Sequence, residues 1–530
     1  MSTAAATTGD MQVAKPSANA RLGDWIAVFA GVIGAFMAAL DISIVNASLP
    51  QIQGEIGASG TEGTWIANSY LVAEIVMIPL TAWLVRVFGL RLLLVGCTAL
   101  FVVFSVICGI ADSLTTMIFG RVGQGFFGGA LIPSAMTIIA LRLPPHQQVQ
   151  GFAMFAMTTL LAPVFGPLLG GWLTDNISWH WLFFLNVPVG IMLVIMLLSA
   201  FPAEHPRLAE LPRADWIGII GLSLFLGAGT VVLEEGQREG WFESDHIVML
   251  SLVVAVGAVL TAWSQLRHAD PVLRLRLLAE RSFAGAFVVS LIMGGAFYTV
   301  LYIIPIFLGT IAGYNAAQTG WVTMYSGAAA MVAMPLFPLL MKYVDVRLLV
   351  AAGLILFAIS CFMDVDMTAA SGGDQFFWSQ VLRGFGQMLI FLPLSQAALA
   401  GIAAEDTADA SGLFNIARNL GGSIGLAGTA ILIDLRQSFH SAEIGQAVTA
   451  NSPLAAERLS QGAAPFLVES TDSTRATIAS FRQLALFIER EALVMTYADA
   501  FWLFGIAMIC AVPAVLLLRK PPEGAGMAVH

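Results

Sequence analysis

WIAVFAGVIGAFMAALDISIVNA, from Trp25 to Ala47, sets the class of this chain. A bilayer core takes about 20 apolar residues per helix, and this run is long enough to cross it. It is too long for the apolar part of a signal peptide, so it reads as an uncleaved first span. Runs of the same kind recur along all 530 residues, of which 58% are hydrophobic and 11% charged. A soluble chain carries about 25% charged residues. The chain therefore reads as an all-α membrane protein whose first partner is the lipid bilayer. Its net charge of -10 argues against nucleic acid as a partner. Cys97, Cys108, Cys361 and Cys510 lie inside apolar runs without metal-ligand spacing and read as packing residues.

Working outward from that first run, fourteen transmembrane helices are expected: six between Trp25 and Phe201, two at about Asp215–Leu233 and Ile247–Leu266, and six between about Phe283 and Leu518. Basic residues segregate between alternate loops. One set holds Arg86, Arg91, Arg142, Arg207, Arg213, Arg274, Arg276 and Arg347, and the other short loops hold only Arg238. Basic loops stay cytoplasmic, which predicts that both termini are cytoplasmic. The expected divisions are a cytoplasmic tail (1–24), a six-helix bundle (25–202), a linker with helices 7 and 8 (203–282), a second six-helix bundle (283–518) and a cytoplasmic tail (519–530). The second bundle includes a periplasmic loop at 435–497, and Thr477–Met495 within it has the pattern of an amphipathic surface helix.

The halves repeat. Arg86 and Arg91 in one short loop match Lys342 and Arg347 in another; Arg121-Val-Gly-Gln124-Gly125 matches Arg383-Gly-Phe-Gly-Gln387, and Pro133 and Pro393 follow each. Two parallel six-helix repeats are the architecture of major facilitator transporters, with the substrate site between them.

A charge near the centre of a membrane helix costs roughly 2.5–3.5 kcal/mol on insertion scales, so such residues mark proton or substrate paths. Asp41 and Arg121 stand at similar depth, where a buried ion pair is geometrically open to them, and Glu74 stands nearest the midplane. These three are the candidates for proton coupling, set against a purely structural role in clamping helices. Arg383 and Arg418 read as structural residues near helix ends. Pro163, Gly166, Pro167, Gly170 and Gly171 give helix 5 a dense Gly-Pro pattern, read as a gating contact against another helix rather than ordinary packing. Tyr298 and Tyr302 share one helix face and are candidates to stack on an aromatic or cationic substrate. Asn46, Tyr325, Gln387 and Asn415 are further cavity candidates.

The three lysines, Lys15, Lys342 and Lys520, do not form a phosphate-binding loop, and no metalloprotease or nucleophile-elbow motif is present. The reading is therefore a non-enzyme without a cofactor, a transporter that uses an ion gradient, the proton gradient first, or runs downhill.

The motifs also carry a family likeness. Leu40-Asp41-Ile-Ser-Ile-Val-Asn46-Ala-Ser-Leu-Pro50, Trp65-Ile-Ala-Asn-Ser-Tyr70 and Arg121-Val-Gly-Gln-Gly125 resemble helices 1, 2 and 4 of the fourteen-helix drug:proton antiporters of the major facilitator superfamily. Gly166-Pro-Leu-Leu-Gly-Gly171 is similar to their antiporter motif, and Ser178-Trp-His-Trp-Leu-Phe-Phe-Leu-Asn186-Val-Pro188 resembles the start of their helix 6. The chain departs from the superfamily at the helix 2–3 loop, where Ala82 and Arg86 replace a glycine and an aspartate. Arg86 there resembles EmrB-type multidrug exporters. That resemblance implies export of hydrophobic small molecules driven by the proton gradient, a place in the bacterial inner membrane, and partnership with a periplasmic adaptor and an outer-membrane channel. Proton-coupled uptake of a nutrient and a non-transporting membrane sensor are the alternatives, since a fold does not fix function.

Overall fold

The computed structural model describes residues 19–203, 206–268, 271–448, 452–453, 455–461 and 473–519. All regular structure among them is helical. Lipid offers backbone amides and carbonyls no hydrogen-bond partners, so spanning segments satisfy these groups internally.

Ten of the described helices are long and apolar enough to cross a membrane, or eleven if the bent pair Pro145–Pro163 and Phe165–Asn176 counts as one, so the expectation of fourteen is corrected. Several features lower the number. Two apolar runs of the first half lie in one element of 45 residues, Trp65–Gly109, interrupted at Gly89. The backbone there has φ 76°, which glycine adopts without a side-chain clash. Ala316–Ala333 and Phe377–Leu399 are helical but fall short in apolarity, the first through Gln318, Thr319, Thr323 and Ser326, the second through Gln380, Arg383, Gln387 and Gln396. Pro163 and Pro167 bend Pro145–Asn176, where the ring removes a backbone donor.

Two groups of helices and a hairpin make up the body. In the first group, Leu22–Ala47 packs on Pro145–Asn176, Leu131–Arg142 and Asn186–Ala200, while Trp65–Gly109 packs on Leu114–Gly128. In the second, Arg281–Ile306 packs on Thr407–Ala447, and Val346–Asp364 packs on Phe377–Leu399 and Ser473–Ala511. Between them in sequence, Trp216–Glu235 and Asp245–Arg267 form a hairpin. Asp215 ties its ends together: its carboxylate accepts from the Gly218 amide at 2.8 Å and from the Ser264 hydroxyl. Asp245–Arg267 turns Leu252, Val256, Val259 and Trp263 outward, as a lipid-facing helix does. Trp216–Glu235 instead touches both Trp65–Gly109 and Thr407–Ala447, and so lies along the seam between the two groups.

One end of that seam is closed by charge. Arg86 Nη1 meets Asp409 Oδ2 at 2.6 Å, and Arg274 and Arg276 meet Asp406. The first group, the linker and the second group are thus joined at a single cluster. Aromatic packing continues the closure inward, with Phe155 and Phe391 stacked at 5.9 Å between centroids.

The stretch 435–497 differs from its reading as a loop. Thr407–Ala447 and Ser473–Ala511 extend helically into it from both sides, and the amphipathic Thr477–Met495 continues directly into the last helix. Ser473–Ala511 contains no proline and has Gly505 as its one glycine, so nothing in its sequence stops the helix. Cys97, Cys108 and Cys361 are buried as expected, whereas Cys510 is exposed.

Candidate functional site

A cavity of about 610 Å³ lies between the two helix groups. That is within the size range of small-molecule sites. It begins at mid-helix among Ala35, Ile75 and Ile132 and extends to Asn46, Ala47 and Tyr314, at the end away from the Arg86–Asp409 cluster. Most of its wall is apolar. Among the described residues the charged side chains on it are Glu74, Glu234 and Arg418.

Glu74 comes from Trp65–Gly109 and is 3% exposed. It makes no hydrogen bond or ion pair with any described residue, although Arg418 is within electrostatic range. Arg418 comes from Thr407–Ala447 and is 6% exposed; its Nε and Nη1 have no hydrogen-bond partner among the described residues. Its guanidinium lies 5.6 Å from the centroid of the Phe391 ring. The cavity therefore has an acid on one side and a base on the other, each contributed by a different helix group.

Asn46, Tyr298, Tyr302, Pro163 and Pro167 also line this cavity, as does Glu74, so these sequence candidates come together. Others do not. Tyr325 packs edge-on against Phe377 at 5.0 Å between centroids. Gln387 borders a separate void of about 20 Å³ beside Pro163 and Phe297. Asn415 is buried and donates to the Ser411 carbonyl at 2.9 Å and toward Met136 Sδ at 3.3 Å. In the Pro145–Asn176 helix, Gly166 and Gly170 press on Leu22–Ala47 of their own group. A Cβ on Gly166 would stand 2.8 Å from the Ser43 carbonyl carbon, and one on Gly170 would stand 2.7 Å from the Ile44 carbonyl oxygen. Gly171 faces open space.

Asp41 and Arg121 form the buried ion pair that their depths allow, but away from the cavity wall. Both side chains are 0% exposed. Arg121 also donates from Nη1 to Gln124 Oε1 and from Nε to the Ile66 carbonyl, each at 3.0 Å. Asp41 Oδ1 accepts from Gln124 Nε2 at 3.1 Å and from Asn186 Nδ2 at 2.7 Å, and both amides also reach Ser105. The Tyr70 ring lies 4.3 Å from the guanidinium. Four helical segments are locked by this one network. The repeat carries a counterpart: Arg383 meets Asp364 at 2.5 Å and Gln380 at 2.9 Å. Arg383 is thus paired within its own helix group, whereas Arg418, given the same structural reading, stands on the cavity wall.

Arg418 and Glu234 are the charged cavity residues, among those described, that sequence reasoning missed. Arg418 belongs to a 41-residue helix, so the helix end that seemed near it lies elsewhere. Glu234 lies at the end of a linker helix beside Glu235, a pattern that reads as solvated. Asn186 carried a signal, as a polar residue opening an apolar helix, but no role was attached to it.

A family model for the Major Facilitator Superfamily matches residues 31–426. The chain belongs to the Major Facilitator Superfamily. This membrane transporter is 32% identical over 483 residues to the colistin resistance protein EmrB of Acinetobacter baumannii, covering 91% of this chain and 94% of that one. It is 32% identical over 520 residues to the multidrug export protein EmrB of Escherichia coli K12, covering 97% and 99%. The crystal structure of the human organic anion transporter MFSD10 has the same fold, with a TM-score of 0.57 and 13% identity over 92% of this chain and 99% of that chain. The transporter is thus related to EmrB exporters by sequence and to the superfamily at large by fold.

Proposed function

We propose that this transporter exports hydrophobic or amphipathic small molecules in exchange for protons, by alternating access. The observation that carries the proposal is Glu74, an acid without a partner among the described residues, on the wall of a largely apolar cavity between two helix groups. An intramembrane acid in such a place is a proton or cation site by default. The names of the EmrB relatives, multidrug export and colistin resistance, support export as the direction. Residues 25–202 and 283–518 are the two moving parts, and 203–282 connects them.

In this scheme the Arg86–Asp409 end faces the cytoplasm, together with both termini, because that end gathers the basic loops. The cavity then opens outward, the state in which substrate leaves and a proton arrives. A proton on Glu74 removes its attraction for Arg418, which changes the balance between the two groups around the cavity. Asp41 and Arg121 serve this cycle by holding the first group rigid beside Glu74. The Gly-Pro segment at Pro163–Gly171 supplies the bend along which the cavity closes. The setting is a bacterial inner membrane, and a periplasmic adaptor and an outer-membrane channel continue the route outward.

Dye efflux from proteoliposomes under an imposed pH gradient tests this reading. Wild type moves dye uphill, Glu74→Gln loses the gradient-driven component, and Asp41→Asn retains it per folded molecule. Uphill movement by Glu74→Gln at the wild-type rate overturns the assignment of Glu74, and a wild type indifferent to the gradient overturns antiport.

A further inference from the structure

Glu234 is an unexpected member of the cavity, because it comes from the linker hairpin and not from either helix group. Trp216–Glu235 runs along the seam, against Trp65–Gly109 on one side and Thr407–Ala447 on the other. Its last turns reach the cavity, which both Thr230 and Glu234 line. These two residues are four apart and so share one helix face. The neighbouring acid has a different environment. Successive helical residues point about 100° apart, and Glu235 turns to Asn68 Nδ2 at 2.6 Å and Arg238 at 2.7 Å. Glu234 Oε2 is buried without a hydrogen-bond partner among the described residues.

Its position also differs from that of Glu74. Asn68, which binds the neighbour of Glu234, lies six residues before Glu74 on the same helix. That is about 9 Å along the axis. Glu234 therefore stands toward the open end of the cavity and Glu74 deeper within it. With Arg418 also on the wall, the titratable side chains that charge this cavity are two acids and one base among the described residues. A buried charge without a partner costs free energy that a ligand of opposite charge recovers. Tyr298 and Tyr302 supply the aromatic faces that such a ligand stacks on.

We propose that Glu234 is a substrate-contacting residue, and that through it the linker hairpin selects amphipathic organic cations over neutral compounds of similar size. This rests on the export reading above, and the two are separable by experiment. The full chain, purified in detergent, is titrated with the lipophilic cation tetraphenylphosphonium and with neutral Nile red. Glu234→Gln is expected to raise the Kd for the cation about tenfold and to leave the Kd for Nile red within about twofold, with tenfold in Kd corresponding to about 1.4 kcal/mol. Glu234→Asp falls between, and Glu235→Gln, which lies off the cavity, leaves the cation Kd unchanged. Retained Nile red binding shows that each variant is folded. Wild-type affinity of Glu234→Gln for the cation overturns the proposal, as does equal loss of both probes, which makes Glu234 structural. In proteoliposomes, a wild type that pumps while Glu234→Gln keeps the wild-type preference for the cation overturns this proposal alone. Cation binding through Glu234 with no gradient-driven movement overturns the export reading and leaves this one standing.

Discussion

Asp41 and Glu74 are carboxylates buried in the same helix group, and their surroundings give them different tasks. Asp41 is held by Arg121, Gln124 and Asn186, so its charge is committed to structure. Glu74 has no such commitment among the described residues and faces the cavity. Removing one member of a buried ion pair leaves the other uncompensated and costs about 3–5 kcal/mol. Asp41→Ala is therefore expected to lower the thermal unfolding midpoint of the detergent-solubilised chain markedly, while Glu74→Gln leaves it unchanged. Equal midpoints for the two variants would contradict this division. The ion pair was legible in the sequence, because depth along two helices is a matter of counting residues. Its separation from the cavity was not, because that depends on which way each helix is turned.

The Pro145–Asn176 helix shows the same limit at the scale of an element. Its glycines signalled close contact, and Gly166 and Gly170 do meet a backbone within 3 Å of where a Cβ would stand. The contact lies within one helix group, against Leu22–Ala47, and the cavity is lined instead by Pro163 and Pro167. Filling a packed contact with extra atoms costs about 1–3 kcal/mol. Gly166→Ala and Gly170→Ala are expected to destabilise by that amount, measured by thermal denaturation. Gly171→Ala, facing open space, is expected to be neutral or to stabilise by up to about 1 kcal/mol through helix propensity. A glycine pattern announces a near neighbour but does not name it.

The molecule as a whole is fastened at one end of the seam and open at the other. Arg86, Arg274, Arg276, Asp406 and Asp409 tie three parts of the chain together, and the cavity reaches the opposite end. Arg86 replaces an acid expected at this loop, and its partner Asp409 lies 323 residues away. Loosening the fastening favours the alternative state, and about 1.4 kcal/mol shifts the ratio of two states tenfold. A cysteine replacing the exposed Asn46, in a chain whose exposed Cys510 is changed to serine, reports on the open end. Asp409→Asn is expected to slow its labelling by an impermeant maleimide about tenfold, and the exchange of Arg86→Asp with Asp409→Arg to restore much of it. Unaltered labelling in Asp409→Asn would show that the cluster does not govern opening.

Composition and apolar runs alone determined that this chain is helical and membrane-embedded, because lipid leaves the backbone few other solutions. Residue order alone determined the repeat and the polar positions within it. The number of membrane-length helices depended on where elements merge, bend or carry too much polarity, and the expected fourteen gave way on those grounds. Tertiary structure alone decided which polar residues share a space. Arg418 and Glu234 join Glu74 although all three come from separate helices, while Arg121 turns away from them. A site between packed helices depends on their rotation and on contacts between residues hundreds of positions apart, and neither is written into any local stretch of sequence.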